Sequence, residues 1–96
     1  MASVTLTLTT PVAGEEGEIT QLVLREPVGK DIRAAGVPFN VSEGGDIVIQ
    51  AEPMHRLIIA LSGQANFVID RLSAADWSAA MGQVLGFFGA STPAKS

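Results

Sequence analysis

From Trp77 to Ala94 the chain carries no charged residue, and most of that stretch reads as a helix. Its start is marked three times. Ser73 can cap the backbone, Asp76 three positions on can reach back to it, and Leu72 can pack on Trp77 as a hydrophobic staple. Trp77, Met81, Val84, Leu85 and Phe88 then recur at helical spacing and form a core face. Ala75, Ala79, Gly82 and Gly86 form a second stripe of small residues where a surface helix normally carries charge. Two glycines in a helix interior cost about 1 kcal/mol each relative to alanine, which implies a compensating close approach by another backbone. Either another chain covers this face or the helix is central and buried on both sides by its own domain. A chain of 96 residues has little material for the second arrangement. The Gly82–Gly86 spacing matches the small-xxx-small pattern of membrane helix pairs, but the segment is too short and follows an aspartate.

Hydrophobic residues make up 47% of the chain, enough for one modest core and too few for two. The expectation is a single domain over residues 1–90 with a flexible polar tail over 91–96. A mean hydropathy of +0.34 with only 17% charged residues leaves apolar surface over, which on a small domain marks a docking site for another chain. A net charge of −4 repels a phosphate backbone and argues against nucleic acid. With no cysteine there is no disulfide, thiolate metal site or cysteine nucleophile. Met1 to Thr10 lacks a basic region followed by an apolar run, and no stretch approaches the ~18 uncharged apolar residues of a membrane span. The chain reads as cytosolic.

The fold expected is α+β. Val4, Leu6 and Leu8 alternate with threonines as in a half-buried strand, Gly14-Glu15-Glu16-Gly17 supplies a turn, and Glu18 to Arg25 returns as the second strand of an antiparallel hairpin. A short helix follows over about residues 27–35, opened by Pro27 and closed by Gly36. Phe39 and Val41, the turn at Glu43 to Asp46, and Ile47 and Ile49 read as a second hairpin, with a helix from Asp46 to Leu61 as the competitor. Pro53 argues against that helix and suits the start of one whose stripe is Met54, Leu57, Ile58 and Leu61, ending at Ser62-Gly63. Phe67 to Leu72 is a helical turn or two before the final helix. The C-terminal part is thus a bundle of two to three helices.

Candidate chemistry is thin. His55 is the only histidine, has no carboxylate at ligand spacing on its helical face, and reads with Arg56 as solvated surface. Asp31, Asp70 and Asp76 each have a local role: first-turn charge, a contact near Arg71, and a helix cap. Gly44-Gly45 and Gly14 to Gly17 lack the lysine and strand-to-helix setting of a phosphate cradle. The serines at positions 42, 62, 73 and 78 have no activating base near them in sequence. No catalytic, cofactor or metal site is signalled, and an enzyme is not expected.

Leu24-Arg25-Glu26-Pro27 with Asp31-Ile32-Arg33, Arg56-Leu57-Ile58 to Gly63, Leu72-Ser73 with Asp76-Trp77, and Gly86-Phe87-Phe88-Gly89 occur in an order that resembles the small tail assembly chaperones of long-tailed, Mu-like bacteriophages and prophages. The resemblance runs from about Val4 to Gly89 and departs at Gln64-Ala65, where a proline-bearing turn is common. It implies a non-structural helper in the host bacterial cytoplasm. Such a helper binds the tape measure protein, assists tail tube assembly, needs no cofactor, leaves the finished tail, and often has a frameshifted longer form. Carried onto this chain, partner contacts are expected at Trp77, Met81, Phe87 and Phe88, and the small-residue stripe adds Gly82 and Gly86. Arg25, Glu26, Pro27 and Asp31 would fix the first hairpin to the first helix, with Ser73 and Asp76 starting the last. The tail tube protein and a second copy of the chain are further expected partners. The competing reading is a structural virion component, a tail or head completion protein assembling through the same C-terminal helix.

Overall fold

The computed structural model describes residues 3–88; the tail expected over 91–96 lies outside them. Alternating aliphatic residues build β1 (Ser3–Gly14) and β2 (Gly17–Arg25), an antiparallel hairpin closed by Glu15-Glu16. Gly17, at φ 135°, occupies backbone space that side-chain-bearing residues rarely adopt. β1 runs longer than its alternating pattern, passing through Pro11 to Gly14. Proline cannot donate to a ladder, and the register breaks around it: Thr7 pairs with Gln21 and Val12 with Ile19, so Leu8 to Pro11 stand opposite Thr20 alone.

Helix α1 (Gly29–Ala35) starts two residues after Pro27, and Asp31 accepts the Val28 N–H at 2.9 Å to satisfy its entry. The second hairpin is present as β3 (Phe39–Val41) and β4 (Ile47–Ile49), which excludes the competing helix through Asp46. Helix α2 (Ala51–Ser62) begins before Pro53, which sits in the first turn where its missing N–H forfeits no helical bond. It ends at Gly63 in the left-handed region, φ 72°, whose N–H reaches the Ile59 carbonyl at 2.9 Å. The short α3 (Asn66–Asp70) turns the chain into α4 (Ala74–Phe87). Two hairpins and four helices, the later ones C-terminal, make the α+β fold that the sequence leads one to expect.

The core lies between the first hairpin and the helices. Leu22 and Leu24 of β2 meet the buried face of α2, formed by Met54, Leu57, Ile58 and Leu61. Leu8 and Val12 of β1 lie against α3 and α4, which contribute Val68, Ile69, Ala80 and Val84. Each large aliphatic side chain so enclosed contributes roughly 1.5–3 kcal/mol. α1 packs on α2 and is tied to the hairpin by a two-point ion pair: Arg25 Nη1 and Nη2 donate to Asp31 Oδ2 and Oδ1 at 2.7 and 2.8 Å. That guanidinium, with the Val28 N–H, holds the Asp31 carboxyl down to about 2.

Candidate partner-binding surface

Helix α4 is held from its inner side at three places. At its start Ser73 Oγ accepts the Asp76 N–H at 3.2 Å, one half of the expected capping box. The other half is replaced. The Asp76 carboxylate turns to the β1 irregularity, where both oxygens accept the Thr9 N–H at 2.9 and 3.1 Å and Oδ2 accepts the Thr10 N–H at 3.2 Å. Asp76 is 1% exposed, and these N–H donors hold its carboxyl below the usual carboxylate range. Two donors within the break in the hairpin ladder are thus satisfied by a side chain of the last helix.

One turn on, Trp77 Nε1–H donates to His55 Nδ1 at 3.2 Å, and the two rings stack at 19° with centroids 6.4 Å apart. His55 Nε2 lies 3.1 Å from both Asn66 Oδ1 and Asp70 Oδ1. Because Nδ1 accepts, a neutral ring carries its proton on Nε2. This corrects the reading of His55 as solvated surface beside Arg56: its side chain is 19% exposed and joins α2, α3 and α4. Asp70 likewise serves His55 and the Asn66 amide rather than Arg71, whose guanidinium lies 5.1 Å over the Phe67 ring. At the far end Phe88 meets Phe39 edge-to-face, centroids 5.4 Å apart, and seats the second hairpin.

With its inner side so occupied, α4 turns Ala75, Ala79, Gly82 and Gly86 outward, and all four are exposed. Beyond the backbone of its own helix, a methyl group placed on Gly82 or Gly86 would meet no atom of the described residues within 4 Å. Among the described residues no element covers this face, which argues against the arrangement in which the helix is central and buried on both sides. The most buried line of the helix is Asp76, Ala80 and Val84, rotated slightly from the expected stripe of Trp77, Met81, Val84, Leu85 and Phe88. Of the six residues expected to contact partners, Trp77, Met81, Phe87 and Phe88 are half-buried and pack against the core, and only Gly82 and Gly86 lie on the open face. Among the structural group, Arg25 and Asp31 meet directly, whereas Glu26 offers Arg25 only its carbonyl oxygen at 3.4 Å and Pro27 is half-buried.

Further exposed apolar residues were not singled out by the sequence. Val41 and Ile47, paired on one face of the second hairpin, are 64% and 40% exposed, and Val48 on the opposite face is 45% exposed. Their β-branched composition announces a strand, but nothing local shows that no other element covers it. Elsewhere a depression of about 310 Å³ lies between the first turn and the end of α2, bordered by Glu15, Glu16 and Glu18. Among the described residues no three metal-ligating side chains are gathered, and no helix is long and apolar enough to cross a membrane.

Comparison with curated proteins and with solved structures gives no match. The family described as phage tail assembly chaperone proteins, E, or 41 or 14, matches residues 5–89, from the first strand to just past α4. A match over that span, on a domain whose last helix is anchored inside and bare outside, places this chain in the phage tail assembly chaperone family.

Proposed function

We propose that this chain holds the tape measure protein during tail assembly and assists the tail tube protein to polymerise, acting by binding and not by catalysis. The observation that carries this reading is the outward face of α4: helical, free of charge, and lined by glycines that no other element among the described residues approaches. A helix of small residues lets a second helix come close, as an amphipathic partner segment would require. Trp77 and Met81, also expected as contacts, pack against the core, so the docking proposed is centred on Gly82 and Gly86. The setting proposed is the host bacterial cytoplasm, with the chaperone absent from the mature virion and no cofactor involved.

The test is light scattering coupled to size-exclusion chromatography on the chain alone and co-expressed with the tape measure protein. A soluble complex, with the tape measure protein insoluble alone and complex lost in Gly82→Leu and Gly86→Leu, is the expected result. Folded variants that bind as the parent does would move the contact off α4. Absence of a complex, with the chain retained in purified particles, would favour the structural virion component.

A further inference from the structure

The second hairpin is a two-stranded sheet, and among the described residues no further strand pairs with either outer edge. Ser42 N–H bonds the Asp46 carbonyl and Gln50 N–H bonds the Pro38 carbonyl, each at 2.8 Å. Antiparallel alternation then pairs Asn40 with Val48 inside the hairpin and turns the backbone groups of Ile47 and Ile49 outward along the β4 edge. Within β4 that edge has none of the usual protections, neither lysine nor proline nor a bulge.

The geometry points to a specific occupant, the same edge of a second copy of this chain, paired antiparallel about a two-fold axis at Val48. Ile47-Val48-Ile49 reads the same in both directions. Centring the pair on Val48 therefore sets Ile47 opposite Ile49 of the other copy twice over. Every outward N–H and carbonyl of the two strands finds a partner, and the result is a continuous four-stranded sheet. The same register sets Asp46 of one copy opposite Gln50 of the other. Gln50 is the N-cap of α2, and its side chain makes no capping bond. An acidic side chain is thus brought to the positive end of an uncapped helix, and no two carboxylates are set directly opposite one another. The contact is shorter than a standard interface of ~1,200 Å² or more, so the dimer is weak and appears at high concentration. It is separate from the α4 face and leaves that face free.

The absence of cysteine makes the test clean. In the proposed register Val48 meets its own copy in a non-hydrogen-bonded pair, with Cα atoms about 4.5 Å apart, within disulfide range. Val41, on the other strand, is the more exposed of the two and does not meet itself. Full-length Val48→Cys should oxidise to a covalent dimer at least tenfold faster than Val41→Cys. Sedimentation velocity of the parent should show a concentration-dependent dimer that Ile47→Pro removes, because that change deletes an outward N–H and spares the Asn40–Val48 pair. Equal cross-linking of the two cysteine variants, or a parent that stays monomeric to ~1 mM, would overturn the proposal. So would an unchanged dimer in a folded Ile47→Pro variant. Binding of the tape measure protein is read separately in the α4 variants, so either reading can fail alone.

Discussion

Replacing Gly82 with alanine should make the protein more stable and a poorer binder at the same time. Gly82 lies well inside α4, has no positive φ, and has open space where a methyl group would go. The substitution therefore recovers the helix-propensity difference, about 0.8–1 kcal/mol, with no packing penalty to subtract. For a domain of this size that is a rise of roughly 4–8 °C in Tm, readable by circular dichroism at low concentration. Gly86 lies in the last turn, where fraying dilutes the effect, so Gly86→Ala should give only a few tenths of a kcal/mol. In the complex the same methyl group stands where a partner backbone approaches, and overpacking of that kind costs about 1–3 kcal/mol, or roughly 5- to 150-fold in Kd. Alanine belongs at the lower end and leucine at the upper. A lower Tm in Gly82→Ala would show that the fold itself needs the glycine. A higher Tm with unchanged affinity would show that the partner docks elsewhere.

Asp31→Asn should lose about 1–2 kcal/mol at neutral pH, discounted because Arg25 is partly exposed, and chemical denaturation measures it. The Asp31 carboxyl is depressed from 3.8 to about 2, so its contribution is complete above the unfolded value and is lost as pH falls through the folded one. The parent should accordingly lose stability between about pH 5 and 2 more steeply than Asp31→Asn, and parallel acid profiles would contradict the ion pair. Asp76→Ala should lower Tm and remove hydrogen-exchange protection from the Thr9 and Thr10 amides while amides deep in α2 keep theirs. Undiminished protection at Thr9 and Thr10 would mean that other acceptors serve them.

What the sequence disclosed, and what it hid, follow the range of the forces involved. The first hairpin, the α2 stripe and the Ser73 start of α4 rest on contacts between neighbours or on a repeating period, and both are visible in one dimension. Asp76 is different. Its position suggests a local cap, and only the fold brings Thr9, 67 residues away, within 2.9 Å of its carboxylate. Pro11 was the available hint, since a proline inside an alternating run implies a break in the ladder and donors needing another acceptor. His55 was hidden for the same reason: its partners Asn66, Asp70 and Trp77 come from two other helices, and a lone histidine carries no spacing to read. The open face of α4 could be framed as a choice between two arrangements, but choosing required knowing which side of the helix met β1.

The anchoring of α4 bears on how it binds. Asp76 fixes the helix to β1, Trp77 to His55, and Phe88 to Phe39, so the first turns and the far end are held from the same side. A helix so restrained offers its outer face already formed, and little ordering entropy is lost when a partner docks there. This gives a spectroscopic prediction, because Trp77 is the only tryptophan and sits on the inner flank with its N–H engaged. Docking centred on Gly82 and Gly86 should leave the emission maximum nearly unchanged while a probe placed at residue 79 responds. A displaced emission maximum at saturating partner, with residue 79 silent, would place the contact on the Trp77 and Met81 flank, and rearrangement of the His55–Trp77 pair would then be part of binding.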